Sequence, residues 1–261
     1  MSPLPPNAVS DLSSVTPSGQ AALPEEKAAD VQAMFDRIAR TYDLLNDCIS
    51  FGMHRQWKRR AIQRLQLPKG QDNIHVLDVC TGTGDLAGYF LESFEKSESL
   101  LSRITGLDFS QEMLAIARKR FPQSQFPAIS FEQGDAMALP YADNTFDAAI
   151  ISFGLRNIVD IPKAIAEMTR VVKPGAWVLN LDTSPTPKLP GYWLYFKTVM
   201  PIIGRLLSMD PKAYAYLSQS TEKFLSPAAL VSVFQQAGLR QVACENLMFA
   251  SVSMQWGQKP V

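Results

Sequence analysis

The sequence predicts an α/β fold, a doubly wound parallel sheet with helices on both faces. Three observations predict it. From residue 74 onward, apolar runs of strand length alternate with segments of helical period. The stretch "VLDVCTGTGDLA", residues 76–87, passes from a buried strand directly into glycines, as the first strand of such a sheet turns into its first helix. The later run "FDAAIISF" is apolar along nearly its whole length, as a central strand covered on both faces must be.

The elements follow in order. "IHVLDVC" reads as the first strand and "DLAGYFLESFEK" as a helix. "RITGLDF" is the second strand, followed by the helix "SQEMLAIARKRF" with Ser110 as its N-cap. "ISFEQGDA" and "FDAAIISF" are the third and fourth strands. "IPKAIAEMTRVV" is a helix stopped by Pro174 and Gly175, and "WVLNLDT" is the fifth strand. Beyond residue 185 the alternation breaks. A helical insert over about 190–219 comes first, then the helix "SPAALVSVFQQAGL" and two closing strands, "QVACENLM" and "ASVSMQW". Ahead of the sheet, residues 30–65 have helical period and form a cap. Residues 1–28, rich in Pro, Ser and Ala, read as a disordered tail that buries too little apolar surface to offset its ordering entropy. The rest, 29–261, reads as a single domain.

Bulk composition excludes several classes. Lys and Arg number 25 and Asp and Glu 25, so no basic excess points to nucleic acid. The three cysteines, Cys48, Cys80 and Cys244, have neither metal-ligand nor disulfide spacing, which suits a reducing cytoplasm. The N-terminal stretch lacks the basic start and apolar core of a signal peptide. The longest apolar segment, "GYWLYFKTVMPIIGRLL", carries Lys197, Arg205 and a kinking Pro201, so it reads as a core or interfacial helix, not a span.

The glycine turn holds the chemistry. Gly82, Gly84 and Ala87 fit a nucleotide-binding fingerprint, in which glycine lets the backbone approach a ligand and the next helix offers free N–H groups. That fingerprint alone serves NAD, other adenosine cofactors, or a tight turn with no ligand. Three acids narrow it. Asp78, near the end of the first strand, suits a cationic amine and would repel a pyrophosphate. Asp108 ends the second strand, where a carboxylate accepts from both ribose hydroxyls. Asp135-Ala136 follows the third strand, where the acid can accept from an adenine amino group and the Ala136 backbone can donate.

This combination resembles the class I S-adenosylmethionine-dependent methyltransferases, although Cys80 stands where their pattern has glycine. Outside the cofactor loops, "MFDRIARTYDLLNDCISFGMHRQWKRR", "ISFGLRNIVDIPKAIAEMTRVVKPG", "MDPKAYAYLSQS" and "LSPAALVSVFQQAGL" are similar to the UbiE/MenG family of quinol C-methyltransferases, from about residue 30 to the C-terminus. The resemblance implies a Rossmann-like methyltransferase sheet with an N-terminal helical cap and a helical insert after the fifth strand. It implies S-adenosylmethionine as cofactor, no metal, and a polyprenylated quinol as substrate. "LDTSPTPKLPGYWLYFKTVMPIIGRLL" is most similar to the menaquinone branch, so demethylmenaquinol is the expected acceptor, with the ubiquinone-type benzoquinol as the alternative.

Under this reading the cofactor lies on Asp78, Gly82, Thr83, Gly84, Asp108, Asp135, Ala136 and Ser152. Methylating a ring carbon needs an aligned, electron-rich carbon, so the protein must orient two reactants and stabilise a phenolate-like state. Arg156 is assigned to that charge and Asn157 to the ring hydroxyl. Their bland alternatives are an ion pair with an acid and a turn cap. Tyr42, Asp43, Asn46 and His54 belong to the lid or the substrate side, although a histidine beside Arg55 and Trp57, as His54 is, is more often a surface or packing residue. His75 opens the first strand, at the opposite end from the site, and reads as structural. Trp193, Leu194, Phe196, Val199, Met200, Ile202 and Ile203 of the insert could line a prenyl groove or touch a bilayer as a peripheral contact at the inner membrane face. A homo-oligomer is compatible with the sequence. The rival readings are an NAD-dependent oxidoreductase, opposed by Asp78, and a non-catalytic partner of quinone enzymes, opposed by the intact cofactor loops.

Overall fold

The computed structural model describes residues 24–67, 73–96, 102–185, 198, 216 and 219–261. Three helices come first: α1 (Pro24–Ile38), α2 (Tyr42–Ser50) and α3 (His54–Arg64). α1 begins at Pro24, inside the stretch read from sequence as tail; proline is favoured at a helix start because its missing N–H has no intrahelical partner there. The insert side chains named above, from Trp193 to Ile203, lie outside the described residues.

The sheet has seven strands in the order β3-β2-β1-β4-β5-β7-β6. They are β1 (His75–Val79), β2 (Arg103–Asp108), β3 (Ile129–Gln133), β4 (Phe146–Ser152), β5 (Val172–Thr183), β6 (Arg240–Leu247) and β7 (Val252–Gln258). The first five run parallel, while β7 lies antiparallel to both β5 and β6, so the sheet is mixed and not wholly parallel. Between the strands run α4 (Asp85–Lys96), α5 (Gln111–Arg120), α6 (Ile161–Val171) and α7 (Pro227–Gln236).

The helix starts obey local chemistry. The Ser110 hydroxyl accepts from Met113 N, Asp160 from Lys163 N and Ser226 from Ala229 N, each satisfying one orphan donor. α5 also carries Glu112 in its first turn and Arg118, Lys119 and Arg120 in its last, matching its dipole. α6 ends earlier than Pro174-Gly175 suggest: Val172 is already extended and opens β5. Lys259 Nζ donates to the carbonyls of Arg170 and Val172 and to Asn144 Oδ1, capping that helix from the far end of the chain. The β4–β5 register then jumps, Phe146 facing Val172 and Ala148 facing Trp177, which accommodates Pro174 and Gly175 in an irregular step.

Alternation along the strands feeds two cores. Leu77, Val79, Phe146, Ala149, Ile151 and Val178 face α6 and α7, whose Ile165, Met168, Leu230 and Phe234 are fully buried. Val76, Ile104, Ala148, Ile150, Leu179 and Leu181 face α3 and α4, meeting Ala61, Ile62, Leu65 and Phe90. Burial of each such large side chain stabilises by about 1.5–3 kcal/mol, so the sheet is a rigid platform for its loops. His75 sits at the end away from those loops, its Nε2 2.9 Å from Thr105 Oγ1, as expected for a structural residue. Among the described residues no helix is long and apolar enough to cross a membrane.

Candidate active site

The loops at the C-terminal ends of β1 to β5 converge where strand order reverses, between β1 and β4. The turn after β1 is built from left-handed residues: Cys80 (φ 56°), Gly82 (58°) and Gly84 (81°). Glycine accepts this conformation freely, whereas Cys80 holds it at a cost of roughly 1 kcal/mol. Gly84 is also required by space, since a Cβ there would come within 3.0 Å of the Phe131 ring. Across the crevice Gly154 presses on Cys80: a Cβ at 154 would fall 2.5 Å from that of Cys80.

This turn forms the wall of a cavity of about 400 Å³. Gly82, Asp108, Asp135 and Ala136 line it, together with Tyr42 and Asn157. Asp108 is tied down on both oxygens, Oδ2 accepting from Gly82 N at 2.8 Å and Oδ1 from Ser110 N at 2.9 Å. Burial pushes its carboxyl up to about 6 against the pull of those N–H donors. Asp135 Oδ1 accepts from Met137 N, which shapes the loop after β3.

The other predicted cofactor residues lie behind that wall. Asp78 is 1% exposed; Oδ2 accepts from Thr81 Oγ1 at 2.6 Å, and Oδ1 has no partner. Burial pushes its carboxyl up to about 7, against the Thr81 hydrogen bond and the Lys58 charge. The Ser152 hydroxyl is also buried without a partner. Thr83 is not on the cavity surface. Its hydroxyl donates to Asp43 Oδ1 at 2.7 Å, so it clasps the cap to the glycine turn. Ala87 is fully buried beneath the turn, within the core.

The cap closes the cavity from above. The Tyr42 ring lies over Gly82, 3.9 Å from where a Cβ would stand. Burial raises its phenol above 10.0, despite the Arg156 charge and a hydrogen bond with Asn46. Further ties come from Ser110 Oγ to Asp36 Oδ1 at 2.5 Å and from Gln32 Nε2 to the Phe109 carbonyl at 3.2 Å.

A second, smaller cavity of about 60 Å³ adjoins the first, and Phe153 lines both. Phe153 has φ 56°, another non-glycine residue held left-handed at the site. Asn46, Ser50, His54, Trp57 and Arg156 line the second cavity, with Thr183, Ser251 and apolar neighbours. Arg156 does pair with an acid. Its Nη1 donates to Asp182 Oδ1 at 2.6 Å and to the Phe153 carbonyl at 2.8 Å, and the two side chains are 5% and 0% exposed. Burial opposes the guanidinium charge, but Asp182 outweighs it and raises the pKa. Arg156 Nε remains unpartnered, as does the buried Oδ1 of Asn157 in the first cavity. His54 is 4% exposed, so it is not a surface residue.

Sequence reading missed Asp182, Ser50, Lys58 and Asp85. Lys58 is a buried ammonium whose Nζ donates to Asp85 Oδ2 at 2.9 Å, while Arg120 donates to Asp85 Oδ1 at 2.5 Å. Burial acts to raise the Asp85 carboxyl, yet these two cations hold it at about 2. A cradle with a tethered carboxylate after the second strand and an acid below the turn with one unpartnered oxygen fits an adenosine cofactor bearing a cationic amine. It does not fit a diphosphate there.

Comparison with known proteins agrees. The model of the ubiE/COQ5 methyltransferase family matches residues 22–259. A demethylmenaquinone methyltransferase of Desulfitobacterium hafniense (strain Y51) is 39% identical over 241 residues, covering 90% of this chain and 92% of the relative. One from Lactiplantibacillus plantarum is 38% identical, over 88% of this chain and 96% of the relative. Solved structures share the fold at lower identity. Phosphoethanolamine N-methyltransferase 2 of Haemonchus contortus, in complex with S-adenosyl-L-methionine, aligns with TM-score 0.60 at 15% identity, over 79% of this chain and 53% of that one. A possible histamine N-methyltransferase of Thermotoga maritima aligns with TM-score 0.61 at 18% identity, over 88% and 99%.

Proposed function

Since the chain belongs to the ubiE/COQ5 methyltransferase family, we propose that it transfers a methyl group from S-adenosylmethionine to a ring carbon of demethylmenaquinol, giving menaquinol. The observation that carries this reading is the pair of adjoining cavities divided by Phe153. The larger suits the cofactor; the smaller, with apolar walls and a few hydroxyl, amide and charged groups, suits the oxygen-bearing edge of the reacting ring, which at about 60 Å³ it does not enclose whole.

The geometry supports the following roles. Asp108 takes the ribose hydroxyls, Asp135 and the Ala136 backbone take the adenine edge, and Gly82 gives the cofactor a close backbone approach. Asp78 is assigned to the cationic amine: its Oδ1 has no partner, but it is buried behind the glycine turn and must be uncovered for that contact. Bound in this way, the sulfonium supplies an activated methyl group and a neutral leaving group. Arg156, already half-neutralised by Asp182, offers its remaining N–H toward the ring oxygen as negative charge develops, whereas Asn157, assigned from sequence to the ring hydroxyl, lines the larger cavity on the cofactor's side of Phe153. Tyr42 and the cap exclude water. Thr83 serves as the clasp of that cap.

A polyprenylated acceptor resides in a bilayer, so the chain works as a peripheral protein at the cytoplasmic membrane face. Exposed Leu44, Phe51 and Phe249, 47%, 67% and 82% accessible, support that placement. The test is incubation with labelled S-adenosylmethionine and a panel of reduced naphthoquinols and benzoquinols, with products identified by mass. Methylated menaquinol is expected. Labelling of the benzoquinol alone transfers the reading to ubiquinone synthesis, and no labelled quinol at all refutes it.

A further inference from the structure

Methylation of a quinol ring carbon liberates one proton, which must leave the second cavity. Among the described residues lining it, only His54 and Arg156 are ionisable. Arg156 is a permanent cation, paired with Asp182, and cannot accept a proton. We propose that Ser50, His54 and Asp47 form the proton outlet of the cavity, with His54 as the acceptor that lets the ring hydroxyl ionise. The inference rests on the quinol reading above.

The geometry is that of a relay. Ser50 lines the cavity, and its Oγ lies 2.7 Å from His54 Nδ1 and 2.6 Å from the Asn46 carbonyl oxygen, so its single proton can turn to either. His54 Nε2 faces two carboxylates, Asp47 Oδ1 at 3.8 Å and Asp85 Oδ2 at 3.9 Å. Those oxygens favour a proton on Nε2, which leaves Nδ1 bare to receive the Ser50 proton. Asp85 is committed to Lys58 and Arg120. Asp47 Oδ1 is buried and has no hydrogen-bond partner, while the side chain as a whole is 32% exposed, so the carboxylate reaches from the histidine toward solvent. Its other oxygen is held by Arg55 at 2.5 Å.

The step balances. The ring O–H bond breaks as a new O–H bond forms on Ser50, and the original Ser50 proton moves to His54 Nδ1. The Nε2 proton then crosses the 3.8 Å gap to Asp47 by way of a bridging water and passes to solvent, and proton exchange with solvent returns His54 to its Nε2–H tautomer before the next turnover. As the ring carbon gains its methyl group, the ring C–H proton is lost and returns to the ring oxygen, so each turnover releases one proton. Burial lowers the imidazole below 6.5, with the Lys58 and Arg55 charges acting in the same direction and Asp85 and Asp47 opposing. The group is therefore neutral and ready at neutral pH, and turnover should fall on an acid limb below 6.5.

The experiment compares the full-length chain with His54→Asn on reduced demethylmenaquinol. It reads kcat against pH together with S-adenosylmethionine affinity by calorimetry. A fall in kcat of about 100-fold, the size expected of a lost general base, with the acid limb flattened and affinity within about twofold, is the expected result. A variant with kcat within about threefold of wild type and the same acid limb overturns the proposal. If His54→Asn does not fold, Ser50→Ala carries the test, with a comparable loss expected and wild-type turnover overturning it. A wild-type chain that binds S-adenosylmethionine but methylates no quinol fails the parent reading, and the relay with it.

Discussion

Replacing Asp78 by asparagine should make the ligand-free protein more stable and the cofactor complex weaker. The folded carboxyl keeps its proton up to about pH 7, while the free group has a pKa of 3.8. Between those values the folded state binds more protons than the unfolded state, so stability declines as pH rises across the window. About three units at 1.36 kcal/mol each gives an upper figure of roughly 4 kcal/mol at pH 7 and above. An uncharged amide escapes that penalty, and its carbonyl can still accept from Thr81. The melting temperature of Asp78→Asn should therefore exceed that of wild type by on the order of 5 °C at pH 8, with the gap closing near pH 4. Affinity for S-adenosylmethionine should fall by about 10- to 100-fold, because a hydrogen bond from an ammonium to a charged acceptor is worth about 1.5–3 kcal/mol. Thermal melts between pH 4 and 8 and calorimetric titration read the two effects separately. A variant that binds S-adenosylmethionine as wild type does would refute the assignment of Asp78 to the amine. Parallel melting curves across the pH range would refute the burial argument.

Three other outcomes follow from the site. Cys80→Gly should raise stability by up to about 1 kcal/mol, because φ 56° then carries no side-chain strain; an unchanged or lower melting temperature sinks that account. Thr83→Val removes the hydroxyl that clasps Asp43, so the KM for S-adenosylmethionine should rise several-fold with little change in melting temperature. Asp182→Ala leaves the Arg156 guanidinium buried and unpaired, and should cost about 3–5 kcal/mol of stability by chemical denaturation; a loss below about 1 kcal/mol would mean that water replaces the carboxylate.

The strands and their order of helices were legible because a sheet covered on both faces leaves nearly pure apolar runs, as in β4. The Ser110 cap was legible because capping is local chemistry. That Gly82, Asp108 and Asp135 come together on one cavity was legible because each stands at a fixed offset from a strand end. The Arg156–Asp182 pair was not, since Arg156 lies in the turn after β4 and Asp182 near the end of β5, and the two are brought together only by the β4–β5 register. His54 and Lys58 were hidden differently. They occupy the same face of α3 as Ala61, Ile62 and Leu65, a periodic buried stripe whose first two members are polar. A stripe read by face, not by hydrophobicity alone, would have carried both residues inward and asked what neutralises Lys58. The early start of β5 was masked by Pro174 and Gly175, which look like a loop but sit in the irregular step beside β4.

The near-collision of positions 80 and 154 makes the two crevice loops a shared volume with room for one small side chain. A chain with glycine at 80 could carry alanine at 154, and this one carries the reverse arrangement. Placing a side chain at both would push apart the turn that walls the larger cavity and the segment that leads to Arg156. Redesign of either loop must therefore treat the two positions as a single variable.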